Sequence, residues 1–242
     1  MAFRLRLCCV LFLALVSVSG CSYHYVAGPL APSDTQGEGM TIADDGSLTF
    51  GRDRLEVTLR PMTDSELDRK TEAAGGASPY TYGDITFEDG RPRSRFTVFL
   101  LSIKNYEFPK VVVDPAQVEL IAENGRHYWS LNIQQLETYF RSYAVGYRGN
   151  EYAVFQERRS MLNGTMFTAD AVFSGQESEG YVVFPVLHED VGSVEVVVHD
   201  AALRFDYRNV PSETVDISYR LEREVGKKSW RESPTQTASV RQ

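Results

Sequence analysis

The side chains with the widest chemical repertoire are few. There are three cysteines, Cys8, Cys9 and Cys21, and four histidines, His24, His127, His188 and His199. Cys8 and Cys9 lie inside an apolar run, and Cys21 follows it. A thiol at Cys21 can be half of a disulfide, a metal ligand, a nucleophile or a point of attachment. Removal of the apolar run leaves one cysteine, so no intramolecular disulfide can form and the fold must stand on its core. His188-Glu189-Asp190 and His199-Asp200 are the pairs with metal-binding or hydrolytic potential, because histidine with carboxylates binds zinc. Their separation fits no established ligand spacing, and a polar turn after Leu187 explains the first of them. No GxSxG elbow, Walker loop, HExxH, CxxC or DxDxDG loop occurs. The expectation is no catalytic residue, no metal and no cofactor.

Carboxylate pairs such as Asp44-Asp45 and Glu88-Asp89 adjoin turn glycines, where acids bond their own backbone. Arg91, Arg93 and Arg95 precede an apolar strand-like run, and Arg158-Arg159 falls in a helical one. Both groups read as solvated edges that discourage aggregation, with an anionic ligand or lipid headgroup as the alternative use. The span holding Trp129, Tyr139, Phe140, Tyr143, Tyr147, Tyr152 and Phe155 also carries Arg141, Arg148, Arg158 and Arg159. Tyr, Trp and Arg are enriched at interface hot spots. One face of this segment is expected to pack inward, leaving Tyr143, Tyr147, Arg148 and Tyr152 as the candidate partner-binding residues.

These residues need elements to hold them, and the dominant signal from about Thr41 onward is alternation with period two. Leu55, Val57 and Leu59 alternate with Glu56, Thr58 and Arg60, as in a half-buried strand. In 95–105 both faces are apolar, so that strand is expected to be central and covered on both sides. Further strands are expected over 117–123, 126–129, 168–173, 180–187, 193–199, 202–207 and 213–222. Asn124-Gly125 signals a two-residue hairpin and Asp45-Gly46 a weaker one. Thr63 with Glu66 forms a capping box for a short helix, and Asn132 with Gln135 a second such pair. Many short strands without strand–helix alternation point to an antiparallel β-sandwich. The region from 130 to about 167 reads as a helical hairpin inserted into it.

The chain has 242 residues, 43% of them apolar, with a net charge of −8. Loss of residues 1–20, which hold Arg4 and Arg6 and no acid, leaves it more negative still. Such a chain is a poor match for a phosphate backbone, and nucleic-acid binding is not expected. Arg4 and Arg6 followed by the uncharged segment Leu7–Val16 form a secretory signal too short to span a bilayer.

Val18-Ser19-Gly20-Cys21 resembles the lipobox of bacterial lipoproteins. The resemblance implies a diacylglyceryl group on the Cys21 thiol and cleavage just before it. Ser22, in place of aspartate, implies release from the inner membrane and an outer-membrane anchor. It also implies contact with the membrane through the Cys21 lipid and an envelope protein as partner. On this reading residues 1–20 are the signal, 21–40 a flexible tether, 41–223 the sandwich domain and 224–242 a disordered tail. The segments around Asn105, Asn124-Gly125, Gly180 and Phe184-Pro185 resemble the immunoglobulin-like domains common in bacterial lipoproteins of unassigned function. That resemblance covers about 96–200 and implies an immunoglobulin-like β-sandwich that binds, packs or spaces. The expected function is a non-enzymatic binding or assembly module. The alternatives are a periplasmic carrier of a small ligand, placed between sheet and helices, or a metal-dependent hydrolase near His188 and His199.

Overall fold

The computed structural model describes residues 23–73, 78–81, 94–146 and 152–229, with the backbone alone for 141–146 and 152–155. Its strands are β1 (Tyr23–Ala27), β2 (Ala31–Pro32), β3 (Met40–Ile42), β4 (Leu48–Arg52), β5 (Leu55–Met62), β6 (Phe96–Asn105) and β7 (Lys110–Val111). These continue with β8 (Val118–Ala122), β9 (His127–Trp129), β10 (Val172–Phe173), β11 (Gln176–Pro185), β12 (Ser193–Phe205), β13 (Pro211–Glu222) and β14 (Val225–Ser229). Helix α1 spans Asp64–Ala73; α2 (Ile133–Gly146) and α3 (Tyr152–Thr165) lie between β9 and β10.

The fold is mainly β, with two five-stranded antiparallel sheets packed face to face. The first has the order β11-β6-β5-β4-β3 and the second β2-β13-β12-β8-β9. Alternation explains the packing: Leu55, Val57 and Leu59 of β5 and Phe99, Leu101 and Ile103 of β6 meet Val194, Val196 and Val198 of β12 and Ile217, Tyr219 and Leu221 of β13 in one core. Tyr219 is fully buried there, and its hydroxyl donates to the Val57 carbonyl of the opposite sheet at 2.8 Å.

β6 is interior in its sheet and apolar on both faces for a second reason. Phe96 and Val98 point away from the inter-sheet core into a smaller cluster with Met62, Tyr181 and Val183, roofed by Leu67 of α1, Leu136 and Phe140 of α2 and Leu162 of α3. The space beneath these helices is therefore filled by side chains. Both capping pairs form: Thr63 N donates to Glu66 Oε2 at 3.0 Å, and Asn132 and Gln135 exchange two bonds of 2.9 Å.

Three expectations need correction. The segment read as a tether contains β1, which pairs along its length with β14 in the segment read as a disordered tail. The two strands expected over 193–199 and 202–207 are one strand, β12, broken by a β-bulge where Val198 pairs with Ile217 but Ala201 with Val215. The bulge moves the core-facing positions from even to odd numbers, which is why one strand reads as two. Finally, the Asn124-Gly125 turn is longer than two residues. Ala122 N donates to Arg126 O, Gly125 N donates to Ala122 O, and only Gly125 takes positive φ, a three-residue loop ending in a bulge.

Candidate functional site

The chemically richest cluster lies on the outer face of the second sheet. Glu119 on β8 points outward yet is buried, because its two carboxylate oxygens each hold a histidine: Oε1 lies 2.7 Å from His127 Nδ1 and Oε2 3.0 Å from His199 Nε2. Register places His127 within reach. Trp129 is directly opposite Glu119 in the β8–β9 hairpin, so His127 is its diagonal neighbour. The bulge of β12 places His199. Asp200 takes φ of 50°, its N–H donates to Asp216 Oδ1 at 2.9 Å, and Asp216 Oδ2 lies 3.6 Å from His199 Nδ1. The Trp129 ring covers His199 at 5.9 Å between centroids. Burial raises the Glu119 carboxyl, but the hydrogen bonds and charge of His127 and His199 outweigh it and hold the group below its ordinary value.

Both Glu119 carboxylate oxygens are engaged by histidines, and Asp216 Oδ1 accepts from the Asp200 N–H. Among the described residues, no group of three or more His, Cys, Asp or Glu side chains is placed to hold a metal ion. The suggested convergence of His188 with His199 does not occur. His188 instead lines a cleft at the end of the sandwich where β1 and β14 lie.

That cleft has a volume of about 790 Å³ and is walled by Tyr25, Met62, Asp64, Phe96, His188 and Arg223, among others. Burial pushes the Asp64 carboxyl up, and neighbouring Asp68 adds to this, against a 2.8 Å hydrogen bond from Ser94. Burial also lowers Arg223, whose guanidinium donates to the Val191 carbonyl at 2.8 Å and to that of His188. The walls mix apolar groups with both signs of charge.

At the other end of the sandwich, loop 105–110, β10 and the β12–β13 turn come together. Asn105, wholly buried, donates to the Phe108 and Val172 carbonyls at 2.8 and 2.9 Å and accepts from Phe108 N at 2.9 Å. Lys110 lies 3.8 Å over the Phe205 ring and donates to Asn209. Around this framework stand Tyr207, 88% exposed, Val210, Phe173 and Tyr106, all outward, with Arg208 5.1 Å from the Tyr207 ring.

The proposed partner residues fare differently. Tyr143 and Tyr152 have backbone places in α2 and α3, while Tyr147, Arg148 and the lipidation candidate Cys21 lie outside the described residues. Of the neighbouring rings, Phe140 is buried and Trp129 and Tyr139 are exposed. The arginines expected at a solvated edge differ: Arg95 is buried, donates to Tyr139 and lies 5.6 Å from its ring, and Arg158 is buried as well. Arg91 and Arg93 lie outside the described residues. Sequence reasoning missed Glu119, because an acid in an alternating strand looks like any solvated position.

No family model matches the chain, and no curated protein matches it. A solved structure, the yjhA protein from Bacillus subtilis, aligns at 10% identity over 70% of this chain and 93% of that one, with a TM-score of 0.38. No described helix is long and apolar enough to cross a membrane.

Proposed function

We propose that the chain is an envelope lipoprotein of a diderm bacterium, acylated at Cys21 and held at the outer membrane. Its domain is an immunoglobulin-like sandwich with α2 and α3 as an inserted helical hairpin, and it works as a non-enzymatic binding or assembly module. The observation that carries the binding reading is the gathering of exposed rings at the end remote from β1. Tyr106, Phe173 and Tyr207 with Val210 and Arg208 have the composition of a protein interface core. A domain attached through Cys21 would present them to a partner away from the bilayer. The sequence marks Tyr143, Tyr147, Arg148 and Tyr152 as a second candidate for partner contact.

A photo-crosslinking residue placed at 207, and separately at 147, tests this in intact cells. A discrete adduct from 207 that is lost with Arg208→Glu is the expected result. Adducts from 147 alone move the surface to the region between α2 and α3, and adducts from neither contradict the module. A second reading, carriage of a small ligand, is favoured by the cleft at the β1 end rather than by any space under the helices. Mass spectrometry of small molecules released on denaturing the native protein tests it: a stoichiometric ligand supports carriage, and an empty protein opposes it.

A further inference from the structure

We propose that the β1–β14 ribbon is a bilayer-contact element whose face bearing Tyr23, Tyr25 and Lys227 lies against an anionic phospholipid headgroup layer. The inference rests on the reading that Cys21 is acylated. Tyr23 follows Cys21 by two residues, at most about 7 Å of extended chain, and from Tyr23 onward the backbone is already in β1. An acyl group on Cys21 therefore brings the tip of the ribbon to the headgroups, with no long tether between.

The ribbon's own chemistry fits that position. It is a separate two-stranded sheet outside both five-stranded ones, and such a ribbon is marginal in water without a further surface to pack on. Register sets Tyr25 opposite Lys227 and Tyr23 opposite Ser229, so both rings share one face. Tyr23 is 57% and Tyr25 38% exposed, and Lys227 Nζ lies 5.3 Å from the Tyr25 ring centre. Lys228, also exposed, stands opposite His24 and therefore on the other face of the ribbon, so Lys227 is the lysine of the ring-bearing face. The ribbon strands YHYVA and VGKKS hold two lysines and no acid, in a chain of net charge −8. Amphipathic rings beside basic side chains suit the phosphate level of an anionic bilayer, where each lysine adds electrostatic attraction.

The test uses the protein extracted from labelled membranes and reconstituted in two vesicle types, pure phosphatidylcholine and a mixture with phosphatidylglycerol. Amide hydrogen exchange is followed in 23–27 and 225–229. Exchange there is expected to be about tenfold slower on the phosphatidylglycerol vesicles. Lys227→Gln is expected to abolish that difference and Tyr23→Ser to reduce it, while Lys228→Gln, on the other face of the ribbon, is expected to leave most of it. These side chains lie outside both cores, so the sandwich serves as an internal exchange control. Equal exchange on both vesicle types, or a difference that survives Lys227→Gln, overturns the proposal. So does slowing that appears only when another envelope protein is added. Palmitate labelling of the same preparation separates the two readings: no label at Cys21 removes the anchor and the proposal together, whereas label with equal exchange removes the ribbon contact alone.

Discussion

Glu119 shows how a single residue's meaning depends on its neighbours. In sequence it is one acid in an alternating strand, and in the fold it is a buried carboxylate shared between His127 and His199. Because its folded value lies below the ordinary one, the group adds stability at pH above the ordinary carboxylate value. That contribution is lost as pH falls through the folded value. Glu119→Gln is therefore expected to cost about 1–3 kcal/mol at neutral pH, with the difference from the native protein shrinking below pH of about 4.5. Urea unfolding of both proteins stepped from pH 7 to pH 3 checks this, and a difference independent of pH contradicts it. Asn105 is comparable but insensitive to pH. Asn105→Ala strips bonds from Phe108 and Val172 inside the protein and is expected to lower stability by about 3 kcal/mol in the same assay. The sequence marks Asn105 only as the end of a strand; its contacts with residues far along the chain become visible once β10 is in place.

Elements were legible where the pattern was local. β5, β6 and β13 follow their alternation, and the Thr63–Glu66 and Asn132–Gln135 pairs mark helix starts from four residues each. Elements defined by distant pairing were not. YHYVA is apolar but short and flanked by segments without alternation, and VGKKS holds a single apolar residue; each is a strand because the other lies beside it, some 200 residues away. The bulge in β12 likewise depends on Asp216 of the next strand, which ties down the Asp200 N–H. Gly180 illustrates a close approach of two segments. A Cβ there would lie 2.5 Å from Phe167 Cα and N, where residues 166–167 cross β11 and Phe167 N donates to Tyr181 O. Gly180→Ala is expected to destabilise by about 1–3 kcal/mol, because backbone must move to admit it. Gly164, in α3 with open space around it, is the control: Gly164→Ala is expected to stabilise by about 0.5–1 kcal/mol. Thermal unfolding of the two variants should shift Tm in opposite directions, and shifts of the same sign would contradict this packing.

Across the whole molecule, the two ends of the sandwich differ in chemistry. One end carries the β1–β14 ribbon with its lysines and the cleft walled by Asp64, His188 and Arg223. The other carries Tyr106, Phe173, Tyr207 and Val210. On the proposed attachment at Cys21, this polarity would put lipid at the ribbon end and a partner at the far end. It could not be read from the sequence, since both ends are assembled from segments that lie far apart in the chain. The lipobox resemblance at Val18–Cys21 is a sequence feature alone, since it depends on four consecutive residues and the apolar segment before them, all outside the described residues. Replacing Tyr207 by Ala should leave stability within about 0.5 kcal/mol of the native protein, as the side chain is exposed, while weakening partner cross-linking. A loss of both would mark Tyr207 as structural. Attachment through Cys21 is the premise on which this orientation rests, and radiolabelled palmitate incorporation into the native chain and into Cys21→Ser tests it most directly. The account predicts label in the native protein and none in the variant; equal label in both, or none in either, would contradict it.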